Sequence, residues 1–356
     1  MNKTTKAVKD LLFDPNNYRL RNSQNFKIVA PVSVGLSSVQ KKTQSIITGK
    51  NNREIIDLIE SFKTNGYLKV DNILVRKLKN NKYLIIEGNR RVATLKYLYT
   101  QYENGEDIGK LDPSIFEELD VVIYNYKNEK DYLILMGLKH VSGNKKWERY
   151  NQAKLLYELK NIMDLDESEI ASKLAISKKQ VEDEIRGYVA LEQYMKTLKG
   201  ENYPGFNPYE KIMIMIELTN KPKLKNWAGW NDDKETFSKK GNLKRFYSWI
   251  TPSYQMDEDS EEYELVDPIL ISHKQVRELE EIIDDEEALD YMEEQRDIRI
   301  ALEQNSVYTK KQFSKTVKNV EKVLRNVRAI GSLNISEDDK KLVQNIITYC
   351  QKFLAE

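Results

Sequence analysis

The sequence of 356 residues predicts a small mixed α+β domain, then a helix-turn-helix, then an all-helical C-terminal region. Three patterns indicate this order. Short runs of β-forming residues alternate with amphipathic helical segments up to about residue 140. A short helix, a tight turn and a longer helix follow at 164–195. Most of the remaining chain has the spacing of helices. We therefore expect domains at 1–140, 141–198 and 199–356.

Composition and charge narrow the class of protein. The formal net charge is +1, but residues 1–100 carry 19 Lys and Arg against 7 Asp and Glu, while residues 251–304 carry 4 against 19. This asymmetry indicates that the N-terminal region can accommodate phosphate groups and that the acidic segment has a separate role. One cysteine, Cys350, and two histidines, His140 and His273, argue against a disulfide framework and a Cys- or His-rich metal centre. The sequence shows no signal peptide and no long apolar segment, so we expect a cytoplasmic protein.

The elements of the first domain follow from local signals. Asp14–Asn17 is a turn, and the polar segment 22–50 is a loop with one helix at most. The hairpin between two predicted strands turns at Lys79–Lys82. The predicted helices and strands, in order, are a helix at 52–65, strands at 71–78 and 83–86, a helix at 89–103, a strand at 119–125 and a helix at 128–138.

The junction YLIIEGNRRVATLKYLY at 83–99 is the most informative stretch. Tyr83–Ile86 is an apolar strand, Gly88 breaks it, and Asn89 is a good N-cap for the helix that follows. Arg90 and Arg91 therefore lie at a helix N-terminus, where free backbone N–H groups and the helix dipole favour a phosphate. The alternative is that both arginines are solvated surface side chains.

Three segments together resemble the N-terminal domain of the ParB/sulfiredoxin-like superfamily. They are PNNYRL, NREIIDLIESFKTNGYLKVDNILV and YLIIEGNRRVATLKYL, and the resemblance covers about residues 10–155. In ParB-type proteins the glycine-arginine motif binds the phosphates of CTP. The resemblance implies a bound nucleoside triphosphate, CTP or ATP, with Mg²⁺. It implies that Gly88, Asn89, Arg90 and Arg91 bind the phosphates. It also implies that Asn17 and Arg19 correspond to an Asn-Pro-Arg-like motif that precedes them in the family.

Two positions depart from the superfamily pattern. Sulfiredoxins need a reactive cysteine where this chain has Asn89, so sulfinic acid reductase activity is not expected. ParB-type proteins have a small residue where this chain has Glu87, which is more similar to branches with phosphotransfer or nucleotide hydrolysis. The Glu87 carboxylate could orient Mg²⁺ or accept a proton as a catalytic residue. The alternative is an ion pair with Arg90 or Arg91, or a contact with the helix dipole.

A second box follows at 139–159. By position, the resemblance assigns His140, Gly143 and Asn144 to the phosphate site, and a small polar loop that opens a helix is itself a candidate for anion binding. The alternative for His140 is a capping or core histidine, which we prefer to metal ligation. Trp147 has the spacing of a packed helix face, so we expect it in the core.

The segment 164–195 has the pattern of a helix-turn-helix. Asp166 with Glu169 forms a capping box, and Ser177 caps the next helix with Gln180 at the box position. The residues expected to meet the major groove of DNA are Ser177, Lys178, Lys179 and Gln180. Three acidic residues follow at once, Glu182, Asp183 and Glu184, and acids near DNA phosphates are costly. The alternative is a structural or protein-binding helix pair.

The C-terminal third carries two further patterns. Five aromatic residues have ordinary core spacing, although a surface that stacks single-stranded DNA is the alternative; they are Trp227, Trp230, Phe246, Tyr247 and Trp249. An acidic helix at 273–304 precedes a basic one at 308–330 and a last helix at 336–354. Their opposite charges favour an antiparallel pair. The basic stripe comprises Lys311, Lys315, Lys318, Lys322 and Arg325, and it could instead hold a phosphate backbone.

The leading interpretation is a ParB-like, nucleotide-responsive DNA-binding protein. The second is a phosphotransferase or nuclease that uses Glu87 at the same site. The third is a protein-interaction component of a phage-defence or plasmid-maintenance system. The expected partners are DNA and a nucleotide, a homodimer is allowed for, and no membrane association or protein-bound metal cluster is expected.

Overall fold

A computed structural model describes residues 2–22, 26–78, 81–125, 128–143, 146–198, 200–201, 203–256, 262–330 and 336–355. The chain divides into two compact units, Met1–Val276 and Arg277–Glu356. The division into three parts at residues 140 and 198 stays a prediction.

The first unit contains a mixed five-stranded sheet. Its strands are β1 (Asn2–Lys6), β2 (Leu11–Phe13), β3 (Ile73–Lys77), β4 (Tyr83–Glu87) and β5 (Leu119–Ile123), in the order β1-β5-β3-β4-β2. The outer strand β1 is antiparallel to β5, and the hairpin pair β3 and β4 is antiparallel, whereas β3 with β5 and β2 with β4 are parallel. The mixed α+β class is confirmed. The sequence pattern missed β1 because this edge strand is polar and mostly exposed.

The helices of the first unit include most of those predicted. They are α1 (Ser37–Thr48), α2 (Ile56–Asn65), α3 (Asn89–Glu103), α4 (Glu129–His140), α5 (Arg149–Asn161), α6 (Glu167–Leu174), α7 (Lys178–Thr197), α8 (Ile212–Asn220), α9 (Pro222–Ala228) and α10 (Lys240–Ile250). Helix α3 has the predicted bounds. The hairpin turn predicted at 79–82 lies partly outside the described residues, because Lys79 and Asn80 are not described.

Both faces of the sheet are buried, and alternate strand residues divide between two cores. Val75 and Ile85 belong to the core that includes residues of α2 and α3. Leu74 and Ile86 point the other way, as neighbouring strand residues must, into a second core that extends through α4 and α5 to α6 and α7. The end of β4 and the α6–α7 helix pair are therefore parts of one packed body.

The described part of residues 203–276 contains helices α8, α9 and α10, but it also contains two short antiparallel strand pairs. These are β6 (Trp230–Asn231) with β7 (Thr236–Phe237), and β8 (Ser253–Met256) with β9 (Tyr263–Val266). The expectation of an all-helical region is therefore wrong in this respect. The five aromatic side chains at 227–249 are at least nine-tenths buried, and Trp249 is 1% exposed, so the core interpretation is confirmed and a stacking surface is wrong.

The acidic segment of the second unit is not one long helix. Helix α11 (His273–Leu279) spans the unit boundary and is followed by α12 (Glu286–Gln295) and α13 (Ile298–Gln304). The chain restarts its helix twice because Asp285 and Asp297 accept N-terminal N–H groups as caps, from Ala288 at 3.1 Å and Arg299 at 2.8 Å. The antiparallel pair of two long helices is therefore wrong.

The basic helix is α14 (Ser306–Ile330), and α15 (Glu337–Ala355) follows it. Lys311 Nζ contacts both carboxylate oxygens of Glu281, at 2.5 and 2.7 Å. For Lys315, Lys318 and Lys322 the described part of the chain offers no carboxylate within ion-pair distance, and Arg325 pairs with Glu321 of its own helix at 2.6 Å. Most of the stripe is therefore not neutralised by the acidic segment. No described helix is long and apolar enough to cross a membrane.

Candidate functional site

A cavity of about 400 Å³ opens at the C-terminal end of β4 and the N-terminus of α3, and we call it the β4–α3 pocket. It brings together most residues assigned to the nucleotide from the sequence. The lining residues are Asn17, Arg19, Leu58, Asp71, Glu87, Gly88, Asn89, Arg90, Arg91, His140, Lys146 and Trp147. Gly143 is not among them, and Asn144 lies outside the described residues.

The turn at Gly88 requires glycine. Its φ is +99°, and a Cβ atom would lie 3.0 Å from Ile73 Cγ1. Gly88 is also the N-cap of α3, so the expectation that Asn89 is the N-cap is wrong by one residue. Asn89 instead occupies the first helical position, and its buried Oδ1 has no hydrogen-bond partner among the described residues. The turn thus exposes the backbone of a helix N-terminus beside an unsatisfied amide oxygen.

Two arginines of the pocket are fixed by the protein. Arg90 donates from Nε to the Glu54 carbonyl at 2.7 Å and pairs through Nη2 with Asp57 Oδ1 at 2.6 Å. Arg91 donates to the backbone carbonyl oxygens of Asp71 and Asn72, the latter at 3.4 Å. The interpretation as freely solvated side chains is therefore wrong. Each guanidinium is oriented before any ligand arrives, while its remaining N–H groups stay available.

Arg19 differs from these two arginines. The Asn17 side chain accepts a hydrogen bond from the Arg19 backbone N–H at 3.0 Å, which shapes the short 3₁₀ turn Tyr18–Leu20. No hydrogen bond or ion pair to the Arg19 guanidinium is found within the described ranges. Its pKa is lowered because the pocket walls exclude water and Arg90 adds positive charge, against the attraction of nearby carboxylates. An unpaired cation thus faces the cavity.

Glu87 pairs with His140, and neither Arg90 nor Arg91 takes that role. Glu87 Oε2 and His140 Nε2 lie 2.7 Å apart. Burial acts to raise the pKa of Glu87, but the hydrogen bond and electrostatic interaction with His140 and the positive charges of Lys139 and Arg91 together lower it below its usual value. The carboxylate is therefore ionised near neutral pH. The alternative of an ion pair with Arg90 or Arg91 is wrong.

Trp147 forms the back wall of the pocket. Its ring stacks on His140 with centroids 4.3 Å apart and on Tyr18 with centroids 5.5 Å apart, and it is 7% exposed. The core placement predicted for Trp147 is confirmed, as is the core alternative for His140, which is 9% exposed. Both rings lie nearly parallel to the indole, so stacking with His140 and Tyr18 fixes the orientation of Trp147.

Lys146 and Asp71 also line the pocket, and neither was assigned to the nucleotide from the sequence. Lys146 lies inside the second box, two positions after Asn144, so its place in that polar loop was a usable signal. Asp71 had no such signal, because its place depends on how β3 packs against α3. Four cations, Arg19, Arg90, Arg91 and Lys146, thus meet two carboxylates around one cavity. This balance favours an anion with several negative charges.

The α6–α7 helix pair has the predicted local features. Asp166 and Glu169 form the reciprocal capping box, and the Ser177 hydroxyl accepts the Gln180 N–H at 3.1 Å. Ala175, in the left-handed conformation, makes the turn between the helices. The serine and the following residues Lys178 and Lys179 are exposed, and Gln180 is half-buried.

The acids after that turn do not all face solvent. Lys178 lies 3.7 Å from Glu182 and Lys179 lies 3.5 Å from Asp183, one helical turn along α7. Glu184, in contrast, is 1% exposed and pairs with Arg149. The expectation that three acids would oppose DNA is therefore wrong for Glu184. Two lysines and two acids nearly cancel on this surface.

Comparison with known proteins gives a family match for part of the chain. Residues 20–102 match the family model of the ParB N-terminal domain. Two solved structures resemble the chain, both of the C-terminally truncated chromosome-partitioning protein ParB from Caulobacter crescentus. The one complexed to the centromeric parS site is 12% identical, covers 68% of this chain and 97% of its own, and has a TM-score of 0.34.

The one complexed with CTP-gamma-S is also 12% identical, covers 61% of this chain and 99% of its own, and has a TM-score of 0.21. At these scores neither structure contributes to the functional argument. No curated protein matches the sequence. The resemblance stated from the sequence is nevertheless confirmed, because residues 20–102, which include β3, β4 and nearly all of α3, match the ParB N-terminal domain.

Proposed function

We propose that the chain is a ParB-type, nucleotide-responsive DNA-binding protein that holds a nucleoside triphosphate in the β4–α3 pocket. The observation that carries this proposal is the convergence of Arg19, Arg90, Arg91 and Lys146 on one cavity at a helix N-terminus. These four cations outnumber the two carboxylates of the lining, and the excess of positive charge suits a polyanion. The family match over residues 20–102 supports the same site.

The residues present fit a polyphosphate chain. Among the described residues, the Arg19 guanidinium and the backbone N–H groups after Gly88 have no acceptor, and phosphate oxygens would supply one. Charge-assisted bonds of this kind are the strong hydrogen bonds of proteins. CTP and ATP remain the candidate nucleotides, as the resemblance to ParB-type proteins implies.

Mg²⁺ would enter with the phosphates. The described residues hold no group of three or more His, Cys, Asp or Glu side chains placed to bind a metal ion by themselves. Mg²⁺ is commonly held by one or two carboxylates together with substrate phosphates. Glu87 and Asp71 are the carboxylates of the pocket that could take that part.

DNA is the proposed partner of the α6–α7 helix pair. The exposed residues Ser177, Lys178 and Lys179, with Gln180 beside them, begin the longer helix, where a recognition helix contacts DNA. The acids at Glu182 and Asp183 limit the net charge, so we propose weak sequence preference. Cytoplasmic location and a homodimer remain parts of the same proposal.

Titration calorimetry with CTP, ATP, GTP and UTP, each at millimolar concentration with Mg²⁺, tests the pocket. We expect saturable binding of one nucleotide and weaker binding of the corresponding diphosphate, because fewer phosphate oxygens meet the cations. Inorganic triphosphate is the control for a contribution from the base. Absence of binding by all four nucleotides would overturn the proposal.

The Glu87–His140 pair favours a second candidate, an enzyme that transfers or hydrolyses a phosphoryl group. The pair joins a carboxylate to an imidazole at 2.7 Å inside the same cavity, which suits proton transfer to or from an attacking oxygen. Product formation from a labelled nucleotide, measured for wild type, Glu87→Gln and the control Glu60→Gln, tests it, because Glu60 is exposed and does not line the pocket. Turnover that is lost only in Glu87→Gln supports the enzyme, whereas unchanged turnover excludes this role for Glu87.

A further inference from the structure

Glu184 is an ionisable side chain in the core that the proposed function does not use. It lies on α7 and is 1% exposed. Arg149 Nη2 forms an ion pair with its Oε1, and neither carboxylate oxygen has a well-oriented hydrogen-bond partner among the described residues. A buried carboxylate with so few partners costs free energy relative to an apolar side chain. Its presence therefore calls for a role other than stabilising the fold.

The partner of Glu184 directly follows the pocket wall. Arg149 is the first residue of α5, two positions after Trp147 and three after Lys146. The backbone N–H of Trp147 donates to the His140 carbonyl at 3.0 Å, and Gln152 Nε2 donates to the Trp147 carbonyl at 2.6 Å. The start of α5 and the back wall of the pocket therefore form one continuous hydrogen-bonded segment.

The two helices do not need this ion pair to stay together. Leu156 of α5 shares a buried cluster with Val181 and Ile185 of α7. Tyr150 donates to Glu192 at 3.0 Å, and the rings of Tyr150 and Tyr157 pack against Tyr188. The effect of the ion pair is local, because it fixes the position of the first turn of α5.

We infer that Arg149 and Glu184 are positioning residues of the β4–α3 pocket, through which α7 fixes Lys146 and Trp147 at the pocket wall. The part of this inference that concerns ligand affinity rests on the proposed function. Arg149 and Glu184 do not line the cavity, so they act through the residues between them and the ligand. The ionised form of Glu184 is the one that holds Arg149.

The charged groups that act on Glu184 give the inference a pH dependence. Burial raises the pKa of Glu184 to about 7, Arg149 and Lys146 oppose this rise, and Asp183 of the same helix adds to it. We therefore expect the start of α5 to become better ordered as the pH rises through about 7. A residue that only filled space would show no such profile.

Hydrogen exchange of the backbone amides of residues 146–152, corrected for intrinsic exchange, measures the position directly. We expect Glu184→Gln and Arg149→Ala to speed exchange there several-fold and to abolish its pH dependence between pH 6 and 8. Arg149→Lys should restore part of the protection. Glu182→Gln is the matched control, because it makes the same atom change on the same helix at an exposed ion pair with Lys178.

Calorimetry with the nucleotide that binds wild type gives the second readout, with a 3- to 10-fold loss of affinity expected for Glu184→Gln and Arg149→Ala. If wild type binds no nucleotide, the proposed function fails and the exchange data alone decide the inference. Wild-type exchange at 146–152 in both variants would overturn it. Faster exchange throughout residues 2–276 would also overturn it, because the pair would then be a general stability element.

Discussion

The β4–α3 pocket and the α6–α7 helix pair both present basic side chains, but they hold them differently. In the pocket, Arg90 and Arg91 are oriented by backbone carbonyls and one carboxylate, and Arg19 has no partner among the described residues. On α7, Lys178 and Lys179 are exposed and lie beside acids one turn away. A pre-oriented cation loses less entropy on binding an anion than a mobile lysine does.

The comparison indicates which of the two sites binds its ligand tightly and which can adapt to different ligands. A guanidinium that is already fixed, in a cavity that excludes part of the solvent, favours one phosphate geometry. A lysine that must leave its neighbouring carboxylate can contact any phosphate of a DNA backbone, with little net gain from each contact. We therefore expect tight and specific recognition at the pocket, and weak and salt-sensitive binding at the helix pair.

The largest effect should come from removing the fixed arginines. Arg90→Ala combined with Arg91→Ala should weaken nucleotide binding by roughly 2–4 kcal/mol, since charge-assisted bonds contribute about 1.5–3 kcal/mol each and are not fully additive. Calorimetry measures this change. Lys41→Ala with Lys42→Ala, two exposed lysines of α1, is the control. Equal affinity for the arginine variant and wild type would show that the oriented guanidiniums do not bind the ligand.

The next effect concerns the pH dependence of stability. The pKa of Glu184 is raised to about 7 in the folded protein, so between its ordinary pKa and about 7 the folded chain binds more protons than the unfolded chain. The contribution of this group is therefore most favourable at low pH and is lost as the pH rises through about 7. The loss is at most about 3 kcal/mol, at about 1.4 kcal/mol for each pKa unit.

Urea unfolding of wild type and Glu184→Gln between pH 5 and 8 measures this contribution. We expect the free energy of unfolding to fall less steeply with pH in Glu184→Gln than in wild type. Glu182→Gln should keep the wild-type profile, because Glu182 is partly exposed. Parallel profiles for Glu184→Gln and wild type would mean that Glu184 titrates at its ordinary pKa.

A smaller effect is expected from glycine substitutions, and comparing two of them distinguishes backbone strain from close packing at the pocket turn. Gly88→Ala places a side chain at a φ of +99° and within 3.0 Å of Ile73, whereas Gly105→Ala meets a positive φ of +76° with no atom within 4 Å. Strain of this kind costs about 1–3 kcal/mol at either position. Thermal unfolding should therefore show a larger loss for Gly88→Ala, and nucleotide binding should weaken in that variant alone. Equal losses in both would remove the packing argument at Gly88.

The smallest effects are expected at the helix pair. Lys178→Ala with Lys179→Ala should lower DNA affinity about evenly across sequences and reduce the salt slope by about two units. Glu182→Gln with Asp183→Asn should act in the opposite direction, because it frees the same two lysines. Electrophoretic shifts across a salt series measure both. If both double variants bind DNA as wild type does, α6 and α7 form a structural or protein-binding pair.

The sequence predicted the pocket turn well because its signals are local. A β-rich run, a glycine and a helical period define β4, Gly88 and α3 within a few residues. The Glu87–His140 pair joins positions 53 residues apart in the chain, and no local pattern reports such a contact. The ion pair of Arg149 with Glu184 is likewise a product of tertiary packing.

The burial of Glu184 had a readable signal in the sequence. Glu184 lies three residues after Val181 and four before Tyr188, which places it on the apolar face of α7 and not beside Lys178. Helical periodicity thus indicated burial even though the residue type indicated a surface. The restart of the acidic segment was also readable, since Asp285 and Asp297 are good N-cap residues. These capping signals inside a long helical pattern indicate that the acidic segment forms several shorter helices.

The measurement that tests the central claim most directly is nucleotide binding by Arg19→Ala, with Arg53→Ala as its control. The Arg19 guanidinium has no protein partner in the described part of the chain, so its removal should leave the unfolding temperature nearly unchanged. The same change should weaken binding about tenfold or more, as expected for one lost charge-assisted contact. Arg53 is exposed and does not line the pocket, so Arg53→Ala should bind like wild type. Wild-type affinity in Arg19→Ala would contradict the account, because a cation of the cavity that has no partner among the described residues would then have no phosphate to meet.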